Sequence, residues 1–274
     1  GNVVQGCFVG LNTTGSTAMG NTIGVYLENA KYNLIGGLTP ESRNVISANY
    51  WAGIDISAPS EGGKNHVLGN YIGLDHTGTT AIGNGGGINL YTGGNLIGGP
   101  YPGAGNVISG NYDNGLGLSL DGDEGEPNVI SGNFIGTDHT GTLAVGNGNA
   151  GVMVGSPGNI IGGSEATARN IISGNLEGVT FAGEEAINNS VQGNYIGTDV
   201  SGNSALGNTS TGILILSPNN HIGGTPPGAG NLISGNQWGG ISIGYSGAPL
   251  VANGNTVQGN LIGTDQSGTL AIPN

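Results

Sequence analysis

One segment of about twenty residues recurs five times along this chain. It reads NVVQGCFVGLNTTGSTAMGN at 2–21, and its later copies begin at residues 65, 128, 189 and 255, so that successive copies start 63, 63, 61 and 66 residues apart. An internal repeat with a period in this range is typical of solenoids, propellers and arrays of small units. The repeat therefore constrains the fold before composition is considered.

Each long repeat divides into three shorter units, and every unit opens on an apolar residue. Those residues lie 19–24 positions apart and are Val4, Val25, Ile46, Val67, Ile88, Ile108, Ile130, Val152, Ile172, Val191, Ile213, Ile233 and Val257. Apolar residues alternate with other residues in short pieces such as 87–90, which predicts strands, and Gly-Gly, Asn-Gly and Ser-Gly pairs predict the turns between them. We predict an all-β, single-domain parallel β-solenoid over residues 1–274, with about 13 coils of ~21 residues and three coils per 61–66-residue long repeat.

This register makes further predictions about the interior. The opening residues of successive units, Ile88, Ile108, Ile130 and Val152, are expected to stack in one internal column. A second column contains asparagines whose amides bond from coil to coil; its members are Asn49, Asn70, Asn111, Asn133, Asn175, Asn194, Asn236 and Asn260. Cys7 occupies the same position in the first coil, where we expect a small, semi-buried thiol.

Composition excludes several classes of function. The 274 residues include 60 Gly, only 4 Lys and Arg, and 17 Asp and Glu, for a net charge of −13. Four cations cannot neutralise a phosphate backbone, so nucleic-acid binding is excluded. No apolar run approaches the ~18 residues that a transmembrane helix needs. The acidic, lysine-poor composition favours a secreted or cell-surface protein.

The repeated phrases are similar to those of a known group of proteins. The phrase N-x-I-x-G-N followed by G-I-x-L resembles the right-handed parallel β-helix repeats of the pectate-lyase-like superfamily. The longer phrase G-T-D-x-x-G-T-x-A-x-G-N is similar to repeats in large bacterial and archaeal secreted or surface proteins. The resemblance covers essentially the whole chain and implies a right-handed solenoid, a fold that serves enzymes, adhesins and structural rods alike.

No catalytic or cofactor-binding residue is predicted. The repeated Asp75, Asp138, Asp199 and Asp265 are expected three coils apart, or ~14 Å at the usual strand spacing, which exceeds the ~10 Å over which two carboxylates cooperate on a glycosidic bond. Each precedes a Thr/Ser-Gly pair by one residue, and Asn12 fills the same position, so we predict Asx-type turns. The equivalent His76 and His139 are predicted to be surface turn residues.

One acidic loop is a candidate calcium site. Its potential ligands are Asp121, Asp123, Glu124 and Glu126. Carboxylate oxygens separated by glycine are ligands that Ca²⁺ accepts, although a divergent acidic loop is also typical of a solvated insertion. No other cofactor is expected.

Aromatic residues give only a weak indication of a sugar-stacking groove. Phe8, Tyr71, Phe134, Tyr195 and Leu261 share one position of the repeat, which favours a packing column over a binding platform. Trp51 and Trp238 lie too far apart to cooperate.

Two hypotheses about function follow from the regularity of the repeat along the chain. The first is a structural, extracellular or cell-surface solenoid that serves as a filament subunit or an adhesin stalk. The second is a β-helix protein that binds or cleaves a polysaccharide. The chain opens and closes in mid-pattern, at 1–4 and 270–274, which leaves two explanations: it is cut from a longer repeat array, or its ends are covered by neighbouring copies. The expected partner is a second copy of the chain in a head-to-tail contact, with polysaccharide as the other candidate. An enzyme is the less favoured class.

Overall fold

The chain winds into a parallel β-solenoid in the computed structural model. The structure describes residues 1–57, 63–119, 126–244 and 252–274. In that part of the chain every strand pairs in parallel with the equivalent strands of the neighbouring coils, so the strands form three long sheets, here named A, B and C. The predicted all-β solenoid class is confirmed.

The strands follow one another in the order A, B, C along the chain. Sheet A contains β1 (Val3–Val4), β4 (Leu34–Gly36), β7 (His66–Leu68), β10 (Leu96–Gly98), β13 (Val129–Ser131), β16 (Ile160–Gly162), β19 (Ser190–Gln192), β22 (His221–Gly223) and β25 (Thr256–Gln258). Sheet B contains β2 (Phe8–Val9), β5 (Val45–Ile46), β8 (Tyr71–Ile72), β11 (Val107–Ile108), β14 (Phe134–Ile135), β17 (Ile171–Ile172), β20 (Tyr195–Ile196), β23 (Leu232–Ile233) and β26 (Leu261–Ile262). Sheet C contains β3 (Ile23–Glu28), β6 (Ala52–Ser57), β9 (Gly86–Leu90), β12 (Leu116–Leu118), β15 (Ala150–Val154), β18 (Glu177–Phe181), β21 (Thr211–Ile215) and β24 (Gly239–Ile243). Short 3₁₀ turns at Pro40–Ser42 and Ala166–Ala168 interrupt two of the corners between sheets A and B.

The predicted coil length is wrong. Strands of sheet A begin 30–35 residues apart, and the described residues form eight complete coils and a ninth that adds β25 and β26. A 21-residue unit therefore covers two thirds of a coil, and a long repeat is two coils rather than three. The sequence is ambiguous because Asn-Val-Ile-Ser-Gly-Asn occurs at 106–111, where it forms a strand of sheet B, and again at 128–133, where it forms a strand of sheet A.

The core consists of aliphatic columns, one coil on the next. Ile88, Ile108, Ile130 and Val152 are all fully buried, as expected, but they do not form one column. Ile130 lies between Ile97 and Ile161 in sheet A, whereas Ile108 lies in sheet B. Ile88 and Val152 belong to sheet C, where Leu116 separates them. Each fully buried aliphatic side chain contributes about 1.5–3 kcal/mol, so stacking is the main source of stability.

Three asparagine ladders follow the three corners of the solenoid. The ladder before sheet A contains Asn2, Asn33, Asn65, Asn95, Asn128, Asn159, Asn189, Asn220 and Asn255. The ladder before sheet B contains Asn44, Asn70, Asn106, Asn133, Asn170, Asn194, Asn231 and Asn260. The ladder before sheet C contains Asn21, Asn49, Asn84, Asn111, Asn147, Asn175, Asn208, Asn236 and Asn274. The predicted amide stacking is confirmed, but the eight predicted members alternate between two ladders.

Asn133 shows how a rung in the middle of a ladder satisfies its amide. The Oδ1 atom of Asn133 accepts bonds from the backbone N–H and the Nδ2 of Asn106, at 3.0 and 2.9 Å. Its own Nδ2 donates to Asn170 Oδ1 at 3.0 Å and to the carbonyl of Ile97 at 2.9 Å. A buried amide with all its bonds made is stabilising, whereas an unpaired one is costly. The ladders therefore fix the register of neighbouring coils.

Cys7 differs from its prediction. Its backbone N–H donates to Asn44 Oδ1 at 3.0 Å, so it takes the position of a rung. The thiol is exposed and not semi-buried, and its Sγ donates to the Gln5 carbonyl at 3.1 Å. The reason is that the first coil is covered by a neighbouring coil on one side only.

Candidate binding groove

Four repeated aspartates and the equivalent Asn12 close a column of five loops between sheets B and C. Oδ1 of Asp138 accepts bonds from the backbone N–H groups of Thr142 and Leu143, both at 3.0 Å, and Thr140 Oγ1 donates to Oδ2 at 2.6 Å. An antiparallel bridge between Thr137 and Ala144 closes the loop. The predicted Asx-type turns are confirmed.

The loops lie closer together than predicted. They occur in alternate coils, so equivalent aspartates are separated by two coils, or about 9.6 Å, and not by ~14 Å. The loops touch directly, since the backbone N–H of His139 donates to the carbonyl of Gly78 at 3.0 Å. The predicted separation of ~14 Å is therefore wrong and does not exclude a shared carboxylate centre. The hydrogen bonds nevertheless hold each of these carboxylates within its own loop.

These hydrogen bonds also lower the pKa of two loop aspartates, Asp75 and Asp138. Burial alone raises the pKa of Asp138, but the bonds from Thr140, Leu143 and Thr142 outweigh burial and lower the pKa overall. The pKa of Asp75 is lowered by the same balance. The carboxylates of Asp75 and Asp138 are thus acceptors in their ionised form and not proton donors at neutral pH.

The aromatic column on the outside of sheet B is a packing column, as predicted. Tyr71 and Tyr195 are nearly buried, and an arginine covers each ring, with the Arg43 guanidinium carbon 4.2 Å from the Tyr71 ring centre and that of Arg169 3.9 Å from the Tyr195 ring centre. Nε of each arginine donates to a glycine carbonyl at 3.1 Å. Two shallow grooves of about 410 and 550 Å³ lie beside these pairs.

A larger groove, of about 780 Å³, lies on the outer face of sheet C and spans the second to fifth coils. Four aromatic residues border it, and three of them, Tyr50, Trp51 and Tyr112, are exposed, with exposed fractions of 84%, 56% and 80%. Folded proteins seldom expose several large aromatic side chains together, and such patches mark interaction surfaces. We refer to this feature, bordered by Tyr50, Trp51, Tyr91 and Tyr112, as the sheet C groove.

Backbone pairing explains why Tyr50 and Tyr112 occupy equivalent positions two coils apart. The position after the ladder asparagine holds Tyr50, Gly85 and Tyr112 in three successive coils, because Gly85 N–H donates to the Asn49 carbonyl and Tyr112 N–H to the Asn84 carbonyl, both at 2.9 Å. A Cβ atom on Gly85 would lie 2.3 Å from the carbonyl oxygen of Tyr50. Only glycine fits there, so the third coil places no side chain between the two tyrosines at this position.

Trp51 belongs to the link between a ladder asparagine and sheet C. Asn49 and Ala52 are separated by two residues, Tyr50 and Trp51, whereas the equivalent Asn84 and Gly86 of the third coil are separated by one. The third coil therefore has no residue of its own in register with Trp51, which lies beside Tyr50 at the groove edge.

Polar groups line the floor and one wall of the groove. Asn89 and Ser119 line it from the outer face of sheet C. Asp113 is exposed and accepts a bond from Asn149 Nδ2 at 3.1 Å. Among the described residues that line this groove none is Lys or Arg. The arrangement offers flat apolar surfaces, hydrogen-bonding groups and a negative charge.

The sequence prediction missed this groove. It considered Trp51 together with Trp238, which the structure places six coils away, and did not consider Tyr50 and Tyr112. Those tyrosines follow ladder asparagines 62 residues apart, in Asn-Tyr-Trp and Asn-Tyr-Asp. The correct coil length of about 31 residues would have revealed the pair as neighbours two coils apart.

Of the four predicted calcium ligands, only Glu126 lies in the part of the chain that the structure describes. Asp121, Asp123 and Glu124 lie outside the described residues, so this site stays a prediction. Glu126 is exposed and pairs with Lys64, with Oε1 2.9 Å from Nζ. Within the four described segments, no cluster of three or more His, Cys, Asp or Glu side chains could hold a metal ion. In the same segments, no helix has the length and apolar character to cross a membrane.

The comparisons with known proteins found no relative of this chain. No protein-family model matches the chain, and neither curated proteins nor solved structures yield a match. The fold and the groove are therefore the basis for a functional proposal.

Proposed function

We propose that this protein is a secreted or cell-surface β-solenoid that binds a polysaccharide in the sheet C groove, in the manner of an adhesin. The observation that carries the proposal is the group of exposed aromatic side chains, Tyr50, Trp51 and Tyr112, around one groove. Aromatic rings with polar groups beside them suit sugars, because one face of a pyranose ring is apolar and its edge carries hydroxyl groups. The volume of about 780 Å³ is that of an ordinary ligand site.

The resemblance of the repeats supports the same proposal. They are similar to right-handed β-helix repeats of the pectate-lyase-like superfamily and of bacterial and archaeal surface proteins. Membership of that superfamily, the right-handed sense and the extracellular location all belong to the proposal.

Affinity electrophoresis of the complete chain tests the proposal. The gels contain, one at a time, cellulose derivatives, xylan, mannan, soluble chitin and polygalacturonate. We expect at least one neutral polysaccharide to retard the protein, and the triple variant Tyr50→Ala, Trp51→Ala, Tyr112→Ala to migrate as in an empty gel. Trp238→Ala is the matched control, since Trp238 is 81% exposed and lies in the eighth coil, away from the groove. The proposal is wrong if no polysaccharide retards the protein or if the triple variant is retarded like the parent.

A structural rod is the second candidate function. The observation that favours it is the continuity of the ladders, in which every coil from the second to the eighth contributes a rung at each corner. A rod built in this way transmits its register over its whole length and suits a stalk or a filament subunit. Sedimentation velocity and negative-stain imaging test it: filaments that lengthen with protein concentration support self-assembly, and dispersed monomers at tens of micromolar contradict it.

A further inference from the structure

We propose that the ligand of the sheet C groove is an extended, neutral glycan chain that lies parallel to the solenoid axis, with one sugar ring against Tyr50 and another against Tyr112. This inference rests on the proposed polysaccharide binding and adds the direction, the charge and the length of the ligand. Three observations carry it: the spacing of the tyrosines, the gap between them, and the charge of the lining residues.

The spacing defines the direction of the ligand. Tyr50 and Tyr112 occupy equivalent positions two coils apart, so they repeat along the axis at about 9.6 Å. Two linked hexopyranose units in an extended chain have a similar length. A chain that follows the axis therefore brings every second sugar ring to a tyrosine, whereas a chain that runs across the sheet meets only one of them.

The gap between the tyrosines accommodates the intervening sugar. Gly85 separates Tyr50 and Tyr112, and Gly117 leaves a second opening in the outer face of sheet C beside Asn89. The amide of Asn89 and the hydroxyl of Ser119 line the same groove and are suitable partners for sugar hydroxyl groups. The middle of the site is thus open and polar, while its two ends are aromatic.

The negative charge of the groove and of the whole chain favours a neutral ligand over an acidic one. The groove contains the Asp113 carboxylate and, among its described lining residues, no Lys or Arg. The whole chain carries a net charge of −13. Uronate and sulfate groups are repelled by this field, whereas neutral hexoses are not.

The equivalent positions also set the length of the site. In the sixth coil this position holds Leu176, and in the eighth it holds Gln237. The pair of tyrosines is therefore not continued along the rod, and a chain of three sugars is long enough to contact both rings.

Isothermal titration of the complete chain with cello-oligosaccharides and chito-oligosaccharides of two to six units tests this inference, with tri-galacturonate as the acidic counterpart. We expect affinity to rise about tenfold from the disaccharide to the trisaccharide and then to level off, since a second aromatic contact is worth about one factor of ten. In Tyr50→Ala and in Tyr112→Ala the tetrasaccharide should fall to the affinity of the disaccharide, while Trp238→Ala should bind like the parent.

Several results would overturn this inference while leaving polysaccharide binding intact. Equal affinity for the disaccharide and the tetrasaccharide would show that the ligand does not reach both tyrosines. Binding of tri-galacturonate in preference to the neutral probes would contradict the charge argument. Retardation by a polysaccharide in gels without binding of either oligosaccharide series would also overturn it, since the ligand would then be a different glycan. If neither gels nor titration detect any glycan, polysaccharide binding itself is wrong.

Discussion

In the loops between sheets B and C, asparagine can take the place of aspartate. In the first loop Asn12 Oδ1 accepts from the backbone N–H groups of Ser16 and Thr17 at 3.1 Å, and from Thr14 Oγ1 at 3.0 Å. These are the equivalents of the bonds that Asp138 accepts. The loop therefore requires an acceptor oxygen and not a charge.

This equivalence gives a prediction for Asp138. Asp138→Asn should change the free energy of unfolding at neutral pH by less than about 0.5 kcal/mol, because the acceptor remains. Asp138→Ala should cost about 1–3 kcal/mol, because the backbone N–H groups of Thr142 and Leu143 lose their partner. Urea unfolding measures both values, and equal losses in the two variants would contradict the argument.

The pH dependence of the same variants follows from the lowered pKa of Asp138. The ordinary aspartate pKa of about 3.9 applies to the unfolded chain. Because the pKa is lower in the folded protein, the stabilisation is fully present above that value and is lost as the pH falls through the folded pKa. Asp138→Asn should therefore lose less stability than the parent between about pH 5 and pH 2. Urea unfolding at several pH values measures this, and an unchanged pH slope would contradict it.

Short-range chemistry explains which residues the sequence predicted correctly. The turn at Asp138 depends on hydrogen bonds within five residues, so its pattern is visible in the sequence alone. The exposure of Cys7 depends on which coils cover it, and no local pattern contains that information.

The asparagine ladders are the elements that hold neighbouring coils in register. Replacement of Asn133 by Ala removes the acceptor of two Asn106 donors and the donor to Asn170. Several buried groups then lack partners, and the expected cost is about 3 kcal/mol or more. Urea or thermal unfolding measures it, with Asn203→Ala as the control because Asn203 is exposed on a loop. A loss no larger than that of the control would show that the ladder does not stabilise the solenoid.

Sequence patterns identify the elements better than they identify the sheet to which each belongs. The Asn-Val-Ile-Ser-Gly-Asn phrase specifies a strand followed by a ladder corner, and the structure has both. Because the corners of sheets A and B have the same chemistry, the phrase does not specify which sheet it builds. The sheet C groove was missed for the same reason, since Tyr50 and Tyr112 become neighbours only when the coil length is known.

For the molecule as a whole, the coil of about 31 residues makes the long repeat a two-coil module. Gly132 and Gly193 both precede a rung of the ladder before sheet B and have nearly equal φ angles of +70° and +67°. Deletion of residues 133–193 would join Gly132 to Asn194 and remove β14 to β19, which are two strands from each sheet. Every remaining strand would keep its sheet.

This deletion provides the decisive test of the coil length. The variant without residues 133–193 should retain its β circular dichroism and a cooperative thermal transition, and small-angle scattering should show a rod shorter by about 9.6 Å. Deletion of the single unit 152–171 would instead join Gly151 of sheet C to Ile172 of sheet B, so that every later strand enters the wrong sheet. We expect that variant to aggregate or to unfold without cooperativity. If the two deletion variants folded equally well, the coil of 21 residues would be correct and the two-coil module would be wrong.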